Sequence, residues 1–285
     1  MAAAQKPASF SRRDLLKGAA AVAVGTVVGT ADHGYVYARH HVGLTRETVR
    51  VSGLSSELDG LRIGFLSDLH RSATVSHELA TSAVNLLMAE RPDIIMLGGD
   101  YVTWGGGRDR GFVEDAADSL APLTAPYGVF AILGNHDDDK VMPAALSAKG
   151  VTVLKDARTR IQVRGVPLDI AGIRFWTRKA SDIARVIKGA VPDLILLAHT
   201  PSRLTEAVEL AIPLVLSGHT HGGQIVLPGV GAIAAREFPV VQGSGRQGAT
   251  SIFVTRGVGT VYIPVRLNCP PEVALLTLEP FTRLA

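Results

Sequence analysis

Five polar clusters, each directly after a short apolar run, contain the residues best suited to metal chemistry. Together they supply seven side chains with oxygen or nitrogen donors: Asp68, His70, Asp100, Asn135, His199, His219 and His221. Because loops converge at the carboxyl ends of strands in α/β proteins, we expect these seven side chains to gather at one site. Carboxylates, an amide oxygen and imidazoles suit Zn, Mn or Fe better than Ca or Mg alone.

Seven ligands exceed what one ion needs, whereas two divalent ions that share a bridging carboxylate use them all. The assignment places Asp68, His70 and His221 on one ion, places Asn135, His199 and His219 on the other, and makes Asp100 the bridge. The two carboxylates leave a surplus of positive charge that would hold a hydroxide and attract an anionic phosphate. Two ions ~3.5–4 Å apart would acidify a bridging water and orient an in-line displacement.

The ligands within two of the clusters are spaced two residues apart, as in Asp68-Leu69-His70 and His219-Thr220-His221. In an extended chain, residues at this spacing project to the same side. We therefore expect each pair to face one ion, with Leu69 turned into the core.

Short apolar runs and amphipathic stretches alternate along the chain, which predicts an α/β protein with helices flanking central sheets. The predicted strands are 61–66, 93–97, 129–133, 151–154, 169–173, 194–198, 213–216, 251–255 and 272–278. The predicted helices are 77–90, 112–120 and 202–210. With 285 residues, 47% of them hydrophobic, the chain can form one large domain.

The amino terminus has the pattern of an export signal. Arg12 and Arg13 precede Leu-Leu-Lys and an uncharged run over 18–31, which is shorter than the ~20 residues that cross a bilayer comfortably. We interpret 1–31 as a twin-arginine signal, 32–50 as a junction and 51–285 as the catalytic domain. This predicts the export machinery as a partner and a location in the periplasm, the cell wall or the outer face of the cytoplasmic membrane. Whether the signal is cleaved or kept as an anchor stays open.

The charge balance gives no support to a nucleic-acid-binding function. Of the 29 Lys and Arg and 26 Asp and Glu residues, four basic residues and one acidic residue fall within 1–31, so the rest carries 25 of each. A body with no net charge has no global attraction for nucleic acid or an anionic membrane. The single cysteine, Cys269, excludes an intrachain disulfide and fits folding before export.

The order of the motifs resembles the calcineurin-like metallophosphoesterase superfamily. Its elements here are D-x-H at 68–70, G-D at 99–100, G-N-H-D at 134–137, the lone His199 and G-H-x-H at 218–221. The later runs GHTHGGQIVLPG and RGVGT are similar to a bacterial branch that includes twin-arginine-exported phosphoesterases. The resemblance implies a two-sheet β-sandwich flanked by helices, in four α-β-β-α layers, and hydrolysis of phosphate esters.

The same resemblance implies that His136 is not a ligand but stabilises the transition state or protonates the leaving oxygen. Relatives among the protein phosphatases carry G-D-x-V-D-R, in which the later Asp orients this histidine and the Arg binds phosphate. Here Thr103 and Trp104 occupy those two positions. This difference argues against a phosphoprotein phosphatase and leaves Asp137, or no carboxylate, to orient His136.

Two loops are candidates for contacting the substrate. In the glycine-rich loop 101–110, we predict that Trp104 meets an apolar part of the substrate and that Arg108 and Arg110 meet its phosphate. The loop 228–248 carries two further arginines, Arg236 and Arg246.

The favoured function is hydrolysis of a phosphodiester by a metal-bridging hydroxide, on an envelope lipid headgroup, a cell-wall polymer or a nucleotide. One alternative is a pyrophosphohydrolase that acts on a nucleotide-linked acylated sugar, although the export signal argues against a cytoplasmic substrate. Another is a non-catalytic metal-binding envelope protein. A single-zinc peptidase is disfavoured because the chain contains no H-E-x-x-H motif.

Overall fold

The computed structural model describes residues 33–104, 107 and 110–281. The predicted signal over 1–31 and the loop residue Arg108 lie outside these described residues. In the described part of the chain, two six-stranded sheets and one two-stranded sheet form the framework.

The first sheet provides three of the five ligand-bearing loops. In spatial order it contains Gly43–Val51 (β1), Glu272–Pro280 (β14), Arg62–Leu66 (β2), Ile94–Leu97 (β3), Val129–Ala131 (β4) and Thr152–Val153 (β5). The strands from β2 to β5 run parallel, and β14 pairs antiparallel with β2 and parallel with β1. The carboxyl ends of β2, β3 and β4 therefore lie at the same edge.

The second sheet provides the other two ligand-bearing loops. In spatial order it contains Gly243–Gln247 (β12), Thr250–Val254 (β13), Leu214–Ser217 (β9), Leu194–Leu197 (β8), Val166–Gly172 (β7) and Ala157–Val163 (β6). Its four central strands are parallel, and the edge strands β12 and β6 are antiparallel to their neighbours. A small hairpin, Val226–Leu227 (β10) and Gly231–Ala232 (β11), follows β9.

Helices cover the outer face of each sheet. The helices His77–Ala89 (α1), Val113–Leu120 (α2) and Val141–Ala148 (α3) share a buried apolar cluster with the first sheet. The helices Ala180–Val186 (α4) and Leu204–Glu209 (α5) share another with the second sheet. A third cluster lies between the sheets, where Phe65 and Phe253 meet edge to face at 6.3 Å. This arrangement confirms the predicted fold of two sheets flanked by helices.

Each of the nine apolar runs predicted as strands overlaps a strand, and the three predicted helices correspond to α1, α2 and α5. The sequence analysis missed the edge strands β1, β6 and β12 and the short helices α3 and α4. Residues 45–48 of β1 are all polar, because an edge strand exposes much of its surface. All nine residues of β1 pair with β14, so the first sheet includes residues 43–50, which the sequence analysis placed in the junction.

Candidate metal centre

All seven residues chosen as ligands follow the carboxyl ends of parallel strands, at the edge where both sheets meet. Asp68 and His70 follow β2, Asp100 follows β3, Asn135 follows β4, His199 follows β8, and His219 and His221 follow β9. Most of these side chains are fully buried. The packing of the two sheets therefore brings residues from distant parts of the sequence into one centre.

The donor atoms form two adjacent groups. The donor atoms of Asp68, His70 and His221 lie within 4.8 Å of one another, and so do those of Asp100, His199 and His219. Asp100 Oδ2 connects the groups, because it lies 3.1 Å from His199 Nε2 and 3.6 Å from His70 Nε2. The first group contains the same three residues as the first set assigned from the sequence, and the second contains His199 and His219 of the other set together with Asp100.

One buried donor atom supports metal binding because it lacks a hydrogen-bond partner among the described residues. It is Asn135 Oδ1. A buried polar atom without a partner costs free energy that a ligand can recover. Asn135 also lines the same cavity as Asp100 and His219, so its amide oxygen is available to the second group. The carboxylate, amide and imidazole donors are of the kinds that bind divalent transition-metal ions.

The backbone at the centre differs from the extended chain expected from the sequence. Asp68, His70, Asp100, His219 and His221 all have positive φ, between 50° and 72°. The strand β2 ends at Leu66 and β9 ends at Ser217, so both histidine-containing pairs lie in left-handed turns beyond the strands. The pairs do face the centre and Leu69 is buried, but the expected reason was wrong. Such conformations each cost on the order of 1–3 kcal/mol and cluster at functional sites.

The Asp137 carboxylate connects the loops that follow β3 and β4. It accepts hydrogen bonds from the backbone N–H groups of Asp100 (2.8 Å), Tyr101 (2.8 Å) and Gly134 (2.9 Å). Burial, with the Asp100 charge adding to it, raises the pKa of Asp137 to about 7. Asp137 therefore fixes the position of Asp100.

Two glycines allow the carboxylates to approach the backbone. A Cβ at Gly134 would overlap the Asp100 carboxylate, and a Cβ at Gly218 would overlap Asp68 Oδ2 and Ser67 Oγ. The backbone N–H of His219, next to Gly218, donates to both Asp68 oxygens at 3.0 Å. The glycines of the G-N-H-D and G-H-x-H motifs are therefore required by close packing.

His136 is oriented by a backbone carbonyl. Its Nδ1 donates to the carbonyl oxygen of Thr103, and its backbone N–H donates to Asp100 Oδ1 at 2.9 Å. Because a carbonyl only accepts, Nδ1 carries the proton and Nε2 is left for the substrate. Of the two possibilities left open by the sequence, the structure favours the absence of a carboxylate partner, since Asp137 bonds elsewhere. The rings of Trp104 and Tyr262 lie 4.9 Å and 6.2 Å from the His136 ring.

The electrostatics of the centre favour neutral imidazoles at most ligand positions. Burial lowers the pKa of His70 to about 3 and that of His219 to about 3, and it lowers that of His221 well below its usual value. Burial also raises the pKa of Asp68 to about 6. His199 differs: burial opposes its protonation, but the Asp100 carboxylate raises its pKa to about 10. Neutral imidazole is the form that binds metals.

Arg266 stabilises the segment that packs against the Asp68 loop, and the sequence analysis missed it. It is fully buried, and its guanidinium donates to the carbonyls of Gly259, Arg256 and Cys269. The segment 257–259 packs directly against the Asp68 loop, since Gly259 N donates to Asp68 O at 2.7 Å. The RGVGT run, noted only as a resemblance, thus supports the loop that carries the candidate ligand Asp68.

We expect Arg266→Met to lower the free energy of unfolding by about 3 kcal/mol, since it leaves several buried carbonyls without a donor. Denaturant titration of the metal-free protein measures this loss. Arg185→Met is the matched control, because that arginine side chain is 77% exposed and its loss costs within about 0.5 kcal/mol. Equal stability of the two variants would contradict the role of Arg266.

A cavity of about 470 Å³ opens from the centre. Its walls combine Asp100, Asn135, His136 and His219 with apolar side chains such as Ile225, Phe238 and Tyr262. Trp104 lies beside this cavity through its contacts with His136 and Tyr262.

The described arginines that were considered for substrate binding do not line the cavity. Arg110 is exposed and does not line the cavity. Arg246 lies on β12, where it bonds to Ser52 and stacks over Phe281, away from the centre. The contact of Trp104, Arg108 and Arg110 with substrate therefore stays a prediction. Phe175, whose ring lies 5.3 Å from that of His219, is a neighbour of the centre that the sequence analysis did not identify.

Comparison with known proteins links this centre to a family. Residues 61–223 match the family model described as calcineurin-like phosphoesterase, and residues 9–29 match the twin-arginine translocation pathway signal sequence. The uncharacterized metallophosphoesterase YkuE of Bacillus subtilis (strain 168) is 31% identical, covering 95% of this chain and 98% of the relative. The phosphodiesterase YaeI of Escherichia coli (strain K12) is 32% identical, covering 94% of this chain and 99% of the relative.

Among solved structures, the NAD nucleotidase of Haemophilus influenzae (NadN) aligns with a TM-score of 0.48 and 14% identity. The alignment covers 70% of this chain and 45% of that structure.

Proposed function

The chain belongs to the calcineurin-like phosphoesterase family, and from this premise we propose that it is an exported phosphodiesterase with a dinuclear metal centre. The observation that carries the proposal is the pair of adjacent ligand groups joined by Asp100, whose Oδ2 lies 3.1 Å and 3.6 Å from a histidine nitrogen of each group. A single ion would leave one of these groups, with its buried donors, unused.

Two sets of side chains would each bind one ion. Asp68, His70 and His221 would hold one ion, and Asn135, His199 and His219 would hold the other, with Asp100 shared. When bound, two divalent ions supply Lewis acidity that activates water and stabilises charge on the phosphate oxygens. The bond between His199 Nδ1 and the Gly98 carbonyl, 2.7 Å long, keeps Nε2 directed at the centre.

His136 is the proposed proton donor to the leaving oxygen. Its Nδ1 is fixed by Thr103, and the ring lines the cavity next to Asn135. Donation to the leaving oxygen requires the imidazolium form, in which Nε2 also carries a proton, and this transfer leaves the neutral ring with its remaining proton on Nδ1. A carbonyl partner fixes the tautomer, as a carboxylate would, without adding negative charge near a phosphate.

The composition of the cavity favours a diester over a monoester. Among the described residues that line the cavity, none is a lysine or an arginine, and about half are apolar. A diester carries one negative charge and a second organic group, whereas a monoester carries nearly two charges and asks for more cationic contacts. The phosphodiesterase name of the Escherichia coli relative is consistent with this preference.

Export by the twin-arginine route would place the enzyme in the periplasm, the cell wall or the outer face of the cytoplasmic membrane. The support is the signal match over residues 9–29. In the described part of the chain, no helix has the length and apolar character to cross a bilayer. Because β1 begins at Gly43 and completes the first sheet, we place the start of the catalytic domain before that residue.

We expect the full chain to hydrolyse bis(p-nitrophenyl) phosphate faster than p-nitrophenyl phosphate after reconstitution with Mn, Zn or Fe, and a chelator to abolish both activities. Release of p-nitrophenol by the metal-free and reconstituted protein measures this. Metal binding without turnover of either ester would contradict the phosphodiesterase and support a non-catalytic metal-binding protein. Turnover confined to a nucleotide-linked sugar pyrophosphate would support the pyrophosphohydrolase.

A further inference from the structure

Exposed apolar side chains surround the mouth of the cavity. We call Trp104, Leu227, Val230, Ile233, Tyr262 and Ile263 the apolar rim. Tyr262 is 77% exposed, Ile263 is 55% exposed and Ile233 is 53% exposed. Four of the six also line the cavity, and Trp104 contacts Tyr262 at 6.0 Å between ring centroids. An exposed apolar patch around a binding cavity is typical of an interaction surface.

The rim is held in place by polar contacts beneath it. Gln224 Nε2 donates to the carbonyl of Ile263 at 2.6 Å, and Gln224 Oε1 accepts from the backbone of Val261 at 3.0 Å. Arg236 Nη2 donates to the carbonyl of Val230 at 2.7 Å. These bonds fix the backbone at 261–263 and at Val230 and leave the apolar side chains there exposed. The rim is therefore a surface of defined structure.

The described chain begins beside this rim. The turn His33–Tyr37 packs on the segment that follows Ile263, because Arg266 N donates to the Gly34 carbonyl at 3.1 Å. Within this turn, Tyr35 is 48% exposed and Val36 is 57% exposed. Residues 1–32, with the uncharged apolar run over 18–31, therefore join the domain on the side of the cavity mouth.

We propose that the apolar rim and the adjoining turn dock on the surface of a lipid bilayer, and that the substrate is a phosphate ester of a membrane lipid. The proposal rests on the proposed hydrolysis. Tyr and Trp side chains favour the boundary between headgroups and acyl chains, where one end is apolar and the other hydrated. The apolar cavity walls fit the part of a lipid next to its headgroup, while the phosphate reaches the centre. Because the apolar run over 18–31 joins the domain on the side of the cavity mouth, it would meet the same bilayer surface as the rim.

The charges near the rim do not require an anionic membrane. Arg39, which lies over the Tyr35 ring, and Arg236 are positive, whereas Glu237 lines the cavity mouth and is negative. Apolar burial is then the main source of binding free energy, so binding should persist at high salt. Vesicles of phosphatidylethanolamine with phosphatidylcholine, and the same vesicles with phosphatidylglycerol added, test this directly.

The test is flotation of the full chain with these vesicles, comparing the wild type with Val36→Glu/Val230→Glu. This double variant, called the rim variant, changes one residue of the adjoining turn and one of the apolar rim. Neither residue lines the cavity. Ala121→Glu/Ala148→Glu adds the same two charges after α2 and at the end of α3, near the amino ends of the strands, and is the matched control. We expect the rim variant to lower vesicle binding by about tenfold or more, since two apolar side chains no longer leave water. The control should bind like the wild type.

Hydrolysis separates this inference from the proposed function. The rim variant should hydrolyse bis(p-nitrophenyl) phosphate at the wild-type rate and release the headgroup of vesicle lipids about tenfold or more slowly. Equal vesicle binding by the wild type and the rim variant would overturn the inference while leaving the phosphodiesterase intact. A wild-type dimer in sedimentation that the rim variant converts to a monomer would also overturn it, because a second copy would then cover the rim. Reduced vesicle binding by a protein inactive on every ester would support the docking surface and reject the proposed function.

Discussion

Asp100→Asn is expected to lower kcat for bis(p-nitrophenyl) phosphate by about 10³-fold or more while leaving the fold intact. Asp100 provides the only carboxylate of the second ligand group, and the same oxygen approaches His70 of the first. Asparagine keeps an oxygen that can accept the backbone N–H of His136, so the local structure is preserved. The loss therefore reports the replacement of Asp100 Oδ2, the oxygen between the two groups, by an uncharged amide NH2 that cannot bind a metal.

Metal content gives an independent readout of the same change. Without the Asp100 charge, the second group is left with Asn135, His199 and His219, all neutral donors once His199 has lost its carboxylate partner. We expect bound metal to fall from about two ions per chain to about one. Asp182→Asn, in an exposed ion pair with Arg185, is the control and should keep both the metal and the rate. An Asp100→Asn protein with two ions and undiminished turnover would exclude the shared-carboxylate arrangement.

The positions of the seven candidate ligands could be predicted because each follows a buried strand. Runs such as 94–97 and 194–197 are wholly apolar, which is typical of parallel strands buried on both faces, and the polar residue after each run lies at the edge of its sheet. Residue type and order were therefore sufficient to bring together side chains as distant as Asp68 and His221.

The contacts that orient the side chains of the candidate site could not be predicted from residue types. The partner of His136 is the backbone carbonyl of Thr103, and every residue carries such a carbonyl. Arg266 lies 45 residues beyond His221 and acts on carbonyl groups, so neither spacing nor composition identifies it. The left-handed backbone at Asp68 and His219 is imposed by tertiary packing against the local preference of these residues.

The replacement of the phosphatase-type aspartate by Thr103 has a structural consequence. The carbonyl of Thr103 is supplied by the loop that also carries Trp104, so the loop orients His136 and covers it at the same time. The Thr103 hydroxyl instead donates to the carbonyl of His70 at 3.2 Å, which ties this loop to a ligand-bearing one. The orientation of the proposed proton donor is thus coupled to the shape of the cavity mouth.

His136→Asn is expected to lower kcat by about 10²–10⁴-fold for a phosphodiester with a poor leaving group, and by much less for one that releases p-nitrophenol. A stable phenolate needs little protonation as it departs, whereas a basic one depends on the proton from His136 Nε2. The measurement is kcat for a series of phenyl phosphodiesters whose ring substituents withdraw electrons to graded extents. We expect the wild type to show a weak dependence on the leaving group and the variant a steep one.

The same series distinguishes the two roles assigned to His136. If the imidazole only stabilises charge on the non-bridging oxygens, the loss is the same for every leaving group, and the proton-donor role is rejected. His77→Asn is the control, since that histidine is exposed on α1, where it bonds to Asp115 at 2.7 Å, and it should not alter the series. Unchanged metal content in His136→Asn is also required, because His136 contributes only a backbone N–H to the Asp100 carboxylate. A steep dependence with both ions retained would therefore place the proton transfer on His136 itself.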